Sequence, residues 1–255
     1  MTGALAARVA CSDSLTLVLL LAIDTSTTAI TVGLHDGSGV VAETTTLDAR
    51  AHAEHLAPGI GAALATVSAG PGDVTDVVVG IGPGPFTGLR VGIVTARTFA
   101  FALGIPVRGL TSLDAVAHQA WLAGRRGDLL VATDARRKEV YTAAYALGDA
   151  GARRTAEPTV SRAADLPDEL RALPTAGRGP ALYGDALPHG IELLDVSGAA
   201  LADLAVRRLA DTTSPDLDGT LQWTEPGRGF DGLEPLYLRR PDVSPAAPTT
   251  KSTLG

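Results

Sequence analysis

The chain has 255 residues, which at about 150 residues per domain is one large domain or two small ones. Its 21 basic and 28 acidic side chains leave a formal net charge of −7, and 45% of residues are hydrophobic against 19% charged; such a chain can bury a core and is not disordered by composition. The charge argues against strong unaided binding to nucleic acid, which is driven by cations displacing counterions from phosphates, and the single Cys11 excludes an intramolecular disulfide and a Cys-based zinc site.

In chain order, Arg8 and the apolar run Leu15–Ile23 imitate a signal peptide. The imitation fails, because no small-x-small cleavage site follows and Asp24-Thr25-Ser26 comes directly after the run. Leu17–Ile23 is too short to cross a bilayer and reads as a buried strand. Residues 1–16 are then expected to be a disordered extension, and the lone free Cys fits a reducing cytoplasm. Ala29–Leu34 and Val40–Thr46 read as further strands around His35-Asp36-Gly37, an antiparallel meander. Leu56, Ile60, Leu64 and Val67 have helical spacing, and Pro58, Gly59 and Gly61 predict a kinked or weak helix. Asp76–Ile81 is a strand buried on both faces. After Gly82-Pro83-Gly84-Pro85 a helix runs from about Thr87 to Leu103, stopped by Gly104 and Pro106, and Ile105–Leu110 is a short strand.

The order β-β-β-α-β-α-β resembles the ribonuclease-H-like half of the actin, Hsp70 and sugar-kinase superfamily. That resemblance implies an α/β, two-lobed actin-like fold with a cleft, its first lobe spanning 17–111. The second half, 112–240, reads as smaller and degenerate. Thr111-Ser112-Leu113-Asp114 reads as a capping box opening a helix to about Ala123. Leu129–Asp134 and Val140–Leu147 read as strands around Ala135-Arg136-Arg137-Lys138. The stretch 148–180 reads as loops, Ala181–Tyr183 as a short strand, and Ala199–Leu209 as a helix. Residues 241–255 read as a disordered tail.

The densest glycine cluster is Gly80-Ile-Gly82-Pro83-Gly84-Pro-Phe86-Thr87-Gly88-Leu-Arg90. It lacks the Lys-Ser/Thr of a P-loop, and no frame gives the dinucleotide fingerprint. Two readings stand: a rigid turn, or a loop that lets a ligand or a second backbone approach the helix N-terminus. Asp24, Thr25 and Ser26 at the first hairpin tip are either plain turn formers or a phosphate cup with a cation-holding Asp. His52 and His55 have the spacing of a helical metal pair, but no third ligand is in view and no metal site is expected. Asp134 and Arg136 belong to a charged hairpin that is either solvated or points into the cleft. No Gly-x-Ser-x-Gly elbow or Cys-His pairing is visible.

Taken together, Ile23-Asp24-Thr25-Ser26, the run from Arg50 through His52, His55 and Leu56 to Pro58, and Gly82-Pro-Gly84-Pro-Phe86-Thr87-Gly88-Leu89-Arg90-Val-Gly92 resemble the TsaB family. So do Thr111-Ser-Leu113, Asp134-Ala-Arg136, Glu139-Val-Tyr141 and Glu234-Pro-Leu-Tyr237-Leu-Arg239. That family is the bacterial dimerisation subunit of the complex that makes N6-threonylcarbamoyladenosine in tRNA.

The resemblance implies a cytoplasmic, non-catalytic subunit. It would heterodimerise with a TsaD-like paralogue that carries the metal and transfers threonylcarbamoyl to the adenosine next to the tRNA anticodon. That paralogue uses His-x-x-x-His; here His52-x-x-His55 stands instead, so metal-dependent catalysis is not carried over. A TsaE-like ATPase in a larger complex is a further implied partner, and a homodimer is one of the states left open for the chain without the paralogue. No cofactor is required of this chain, with at most weak ATP or ADP binding in a cleft lined by Asp24, Thr25, Ser26, Asp134 and Arg136. The partner face maps onto His52, His55, Leu56, Gly92, Ala96, Phe99 and Ala100. The second helix supports this, since Val91, Ile93, Val94, Phe99, Phe101 and Leu103 make it apolar nearly all round and one side needs cover. On this mapping a charge at Ala96 weakens pairing. The alternatives are an ATP-dependent small-molecule kinase using Asp24, Thr25 and Asp134, and a metallopeptidase.

Overall fold

The structure, a computed structural model, describes residues 8–11, 14–48, 51–211 and 230–239. The expected tail at 241–255 lies outside these residues. The expected extension is partly described, and there it is corrected: β1 (Arg8–Cys11) and β2 (Ser14–Leu17) pair antiparallel, Arg8 opposite Leu17. The second tetrapeptide, Ser14-Leu15-Thr16-Leu17, alternates polar and apolar residues at period two, which a paired strand accommodates.

The first lobe is a five-stranded sheet in the order β5-β4-β3-β6-β7. Its strands are β3 (Leu20–Asp24), β4 (Ala29–His35), β5 (Val40–Leu47), β6 (Asp76–Gly80) and β7 (Val107–Leu110). β3, β4 and β5 are antiparallel, while β6 and β7 add in parallel. Parallel strands need crossovers, and these are α1 (His52–Thr66) and α2 (Phe86–Leu103). The order β-β-β-α-β-α-β is therefore as read from the sequence.

α1 corrects one expectation: it is continuous through Pro58. Gly59 explains part of this, since a Cβ there would lie 3.3 Å from Thr44 Oγ1, and that hydroxyl donates to the Gly59 carbonyl at 3.1 Å. A residue that looks like a breaker is thus a contact with β5. α2 buries Leu89, Ile93, Ala96 and Ala100 against the sheet, where a full Leu or Ile side chain contributes about 1.5–3 kcal/mol. It ends on Gly104 at φ +67, a left-handed cap.

The second sheet has the order β10-β9-β8-β11. β8 (Gly127–Asp134), β9 (Glu139–Gly148) and β10 (Gly151–Arg162) form an antiparallel meander, and β11 (Thr175–Ala176) joins β8 in parallel. This is the first lobe's strand scheme without its last strand. α3 (Ser112–Leu122) enters the lobe, and two short helices, α4 (Asp168–Arg171) and α5 (Gly179–Leu182), flank β11. α6 (Gly198–Asp211) returns to the inner face of the first sheet, where a Cβ on Gly33 of β4 would meet Gly198 O at 2.1 Å. One core lies between the two sheets around α3 and α6, and another between the first sheet and α1 and α2.

Three second-half expectations are corrected. The stretch 148–180 holds β10, a 12-residue edge strand that is half-buried to exposed. Its Arg-rich sequence and Pro158, within a register shift, are how an edge is kept from pairing with another chain, and they hide the strand from a hydrophobicity reading. Ala181–Tyr183 belongs to the turn of α5 and its end, and the strand is Thr175–Ala176. The capping box does not form. Thr111 Oγ1 donates to Asp231 at 2.9 Å, while Asp114 accepts from Tyr145 at 2.7 Å and from Arg154 at 2.6 and 2.9 Å. Both residues answer long-range partners stronger than the local ones.

Candidate functional site

The first lobe contributes the turn after β3. Asp24 is wholly buried; its Oδ1 accepts from the Ser26 amide and hydroxyl, both at 2.7 Å, and its Oδ2 accepts from Ser112 Oγ at 2.6 Å. Burial pushes the Asp24 carboxyl above its ordinary range, and the Ser112 and Ser26 bonds offset part of that. Thr25 Oγ1 donates to Gly88 O at 2.7 Å. Asp24 and Thr25 thus hold β3 to the starts of α2 and α3.

The same contact explains the glycine signature. A Cβ on Gly84 would lie 2.3 Å from Ser26 O, and one on Gly88 2.5 Å from Thr25 O. The glycines admit a second backbone, which decides between the two readings of that cluster. Gly82, at φ +101, starts the bend. Pro83 is buried with them in the same loop.

Between the lobes lies a cleft of about 250 Å³. Its first-lobe wall is Ser26, Thr27, Thr28, His52, Thr87 and Gly88; its second-lobe wall is Thr133, Asp134, Arg136, Arg178 and Asp195. Of the residues expected there, Ser26, Asp134 and Arg136 meet, whereas Asp24 and Thr25 sit behind the wall. Asp134 Oδ1 accepts from the Arg136 amide at 2.7 Å, and its Oδ2 lies 3.3 Å from the Arg136 guanidinium. This holds Arg136 at φ +63, the first of three successive left-handed residues with Arg137 and Lys138. Arg178 grips Asp195 at 2.8 and 2.6 Å, which raises the Arg178 pKa further. Sequence reasoning missed Arg178, Asp195 and Thr133: the first two lie in stretches with no apolar period, and nothing local marks the third.

The C-terminal segment 230–239 ties the lobes together. Asp231 N donates to Gly109 O and Leu236 N to Ile81 O, both at 2.9 Å. Tyr237 stacks on Phe86 with centroids 5.0 Å apart and accepts from Arg90 Nε at 3.0 Å, while the Arg90 guanidinium lies 3.8 Å over the Phe86 ring. Arg239 donates to Ala135 O at 3.1 Å and pairs with Glu139.

The mapped partner face needs correction. Leu56, Gly92, Ala96 and Ala100 are buried, and Phe99 is half-buried against the core. Leu56, Gly92, Ala96 and Ala100 offer no contact area, and Phe99 offers only part of its ring; a charge at Ala96 would disrupt the core rather than report on pairing. His52 is buried and donates from Nε2 to Thr27 O at 3.2 Å, and half-exposed His55 lies 3.6 Å from Asp48. The two imidazoles therefore serve different partners. Among the described residues, no group of three or more His, Cys, Asp or Glu converges as a metal site. The outward face of α2 carries Val94, 59% exposed, and Phe101, 70% exposed. Beside it α1 exposes Ala53, Ala57, Gly61 and Ala65 at four-residue spacing. α2 is also, among the described residues, the helix long and apolar enough for a membrane span, and here one side of it packs on a sheet.

Two sheets with one strand scheme, α3 and α6 packed between them, α1 and α2 outside the first, and a cleft between the lobes define a two-lobed protein of the actin-like class. The chain matches the family model described as "TsaD: tRNA N6-adenosine threonylcarbamoyltransferase" over residues 25–200. An uncharacterized protein of Mycobacterium tuberculosis H37Rv is 45% identical over 91% of this chain and 96% of its own length. The Bacillus subtilis "tRNA threonylcarbamoyladenosine biosynthesis protein TsaB" is 36% identical over 49% of this chain and 54% of its own length. The solved YeaZ from Pseudomonas aeruginosa superposes with a TM-score of 0.68 at 28% identity, covering 77% of this chain and 94% of that one. The chain belongs to this tRNA threonylcarbamoyladenosine-biosynthesis family, on its TsaB side.

Proposed function

We propose that this chain is the accessory, non-catalytic subunit of a tRNA threonylcarbamoyltransferase. It pairs with a TsaD-like paralogue that transfers threonylcarbamoyl to N6 of the adenosine beside the anticodon. The observation that carries this reading is the outer layer of the first lobe. α1 offers a smooth row of Ala and Gly, and α2 offers Val94 and Phe101 beside it. Small residues let a second helix approach closely, and an exposed aromatic next to them is the kind of anchor that dominates interfaces.

The net charge of −7 fits a subunit that leaves the phosphate contacts to its partner. The chain acts in the cytoplasm and requires no cofactor of its own. A TsaE-like ATPase joins the larger complex, and without the paralogue the same face supports a homodimer. Co-purification with the paralogue, followed by a tRNA modification assay with and without this chain, tests the reading. Modification should depend on the chain, and Phe101→Asp should weaken pairing roughly a hundredfold and lower stimulation with it. Equal modification without the chain would sink it.

A further inference from the structure

We propose that Tyr237 to Arg239 is a releasable latch: seated on the start of α2, it holds the β8–β9 turn of the other lobe in a strained form at the cleft mouth. The second-lobe wall of the cleft thereby answers to the first turn of α2.

The strain sits in the turn. Arg136, Arg137 and Lys138 have φ of +63, +52 and +63. Glycine, and at times Asn or Asp, enters that region routinely, and then singly rather than in a run. Such a backbone persists where its surroundings over-determine it. From within, Asp134 Oδ1 accepts from the Arg136 amide at 2.7 Å. The Ala135 amide donates to Glu139 O at 3.0 Å, and the Glu139 amide to Arg136 O at 2.9 Å. From outside, Arg239 donates to Ala135 O at 3.1 Å and pairs with the Glu139 carboxylate. One guanidinium therefore grips the residues on both sides of the strained three.

The near end of the latch is fixed to the first lobe. Asp231 Oδ2 accepts from the Thr111 amide and hydroxyl at 2.7 and 2.9 Å, and a Cβ on Gly109 would meet Gly232 O at 2.3 Å. Leu233 and Leu236 pack on the first-lobe core, and Leu236 N donates to Ile81 O. Past Leu236 the hold changes character. Tyr237, 37% exposed, lies on the Phe86 ring beside the Arg90 guanidinium, and Arg239 crosses to the turn. Segments with few buried apolar contacts open locally while the rest of the fold stays closed. Release therefore asks the stack and one guanidinium to let go, not the core.

The test uses the full chain without any partner, so it stands or falls separately from the subunit reading. Amide hydrogen exchange is followed by NMR at Ala135 and Glu139, with Leu130 of β8, whose amide donates to Pro174 O, as the reference. Arg239→Ala should speed exchange of both turn amides roughly tenfold and leave Leu130 within about twofold. Phe86 has its ring contacts with Tyr237 and Arg90, yet Phe86→Ala should speed the same two turn amides roughly threefold. Tyr237→Ala should do the same, and it unseats the latch without altering α2. The double variant Phe86→Ala with Arg239→Ala should exchange as Arg239→Ala does alone, because both changes act along one path. Four results would each overturn the proposal. They are unchanged turn amides in Arg239→Ala, unchanged turn amides in both Phe86→Ala and Tyr237→Ala, effects that multiply in the double variant, and equal acceleration at Leu130 in every variant.

Discussion

The two lobes share a strand scheme and differ in how they cover it. In the first, every residue of β4 is buried, because α1 packs on one face of the sheet and α6 on the other. In the second, β10 runs 12 residues along an edge that is half-buried at best, and the helices beside β11 have four residues each. The first lobe is a platform whose outer helices can present a surface without distorting. The second lobe works through loops: its β8–β9 turn, Arg178 and Asp195 form one wall of the cleft, held by charge pairs rather than by a layer of helices. Stability and partner recognition should therefore concentrate in one half, and cleft chemistry should depend on both.

The sharpest way to break this contrast is a pair of glycine substitutions. Gly33→Ala drives a Cβ into the Gly198 backbone at 2.1 Å and should cost about 3 kcal/mol in urea denaturation. Gly148→Ala in the second lobe meets nothing within 4 Å and should stay within about 0.5 kcal/mol. Equal losses would refute the idea of a rigid first lobe. Next, Phe101→Asp should leave the urea midpoint unchanged while weakening pairing with the paralogue roughly a hundredfold, about 2.7 kcal/mol; Ala96→Asp should instead destabilise the fold itself.

Asp203 of α6 joins the lobes, accepting from His118 Nε2 at 2.7 Å and from Arg207 at 2.6 Å, with His35 Nε2 at 3.8 Å. The His118 bond, the His35 contact and then Arg207 hold its carboxyl well below the ordinary range. A depressed folded-state pKa contributes stability above the unfolded value, lost as pH falls through the acid range. Asp203→Asn should thus cost about 2 kcal/mol at neutral pH, and the gap to wild type should close as pH drops below about 4. A gap constant with pH would remove the carboxylate from the account. The smallest effect is expected from Tyr237→Phe, which deletes the acceptor for Arg90 but keeps the stack on Phe86; about 0.5 kcal/mol is expected by thermal denaturation.

Much of the first lobe was legible. The strands announce themselves as Val, Ile and Leu runs, and the crossovers carry helical periods and a Gly stop. The second lobe was legible at α3, β8, β9 and α6. β10 is polar because it is an edge, and the segment around β11 has no period because its residues answer β8, His189 and Leu193 rather than each other. The site followed the same division: Ser26, Asp134 and Arg136 sit in hairpin turns that sequence marks, and Arg178 and Asp195 do not.

What the amino-acid order settled alone was the class of fold, the family, and the presence of a glycine-built junction before α2. Those depend on local propensity and on motif spacing, both written along the chain. Only the tertiary structure decided which way α2 faces. A helix apolar on nearly every side carries no direction in its periodicity, so the contact of the α2 start with Thr25 set the orientation. That contact turned Gly92, Ala96 and Ala100 inward and left Val94 and Phe101 outside. It also decided that Asp24, which reads as a ligand-binding acid, is a buried clasp: its partner Ser112 lies 88 residues away, a distance no local pattern spans.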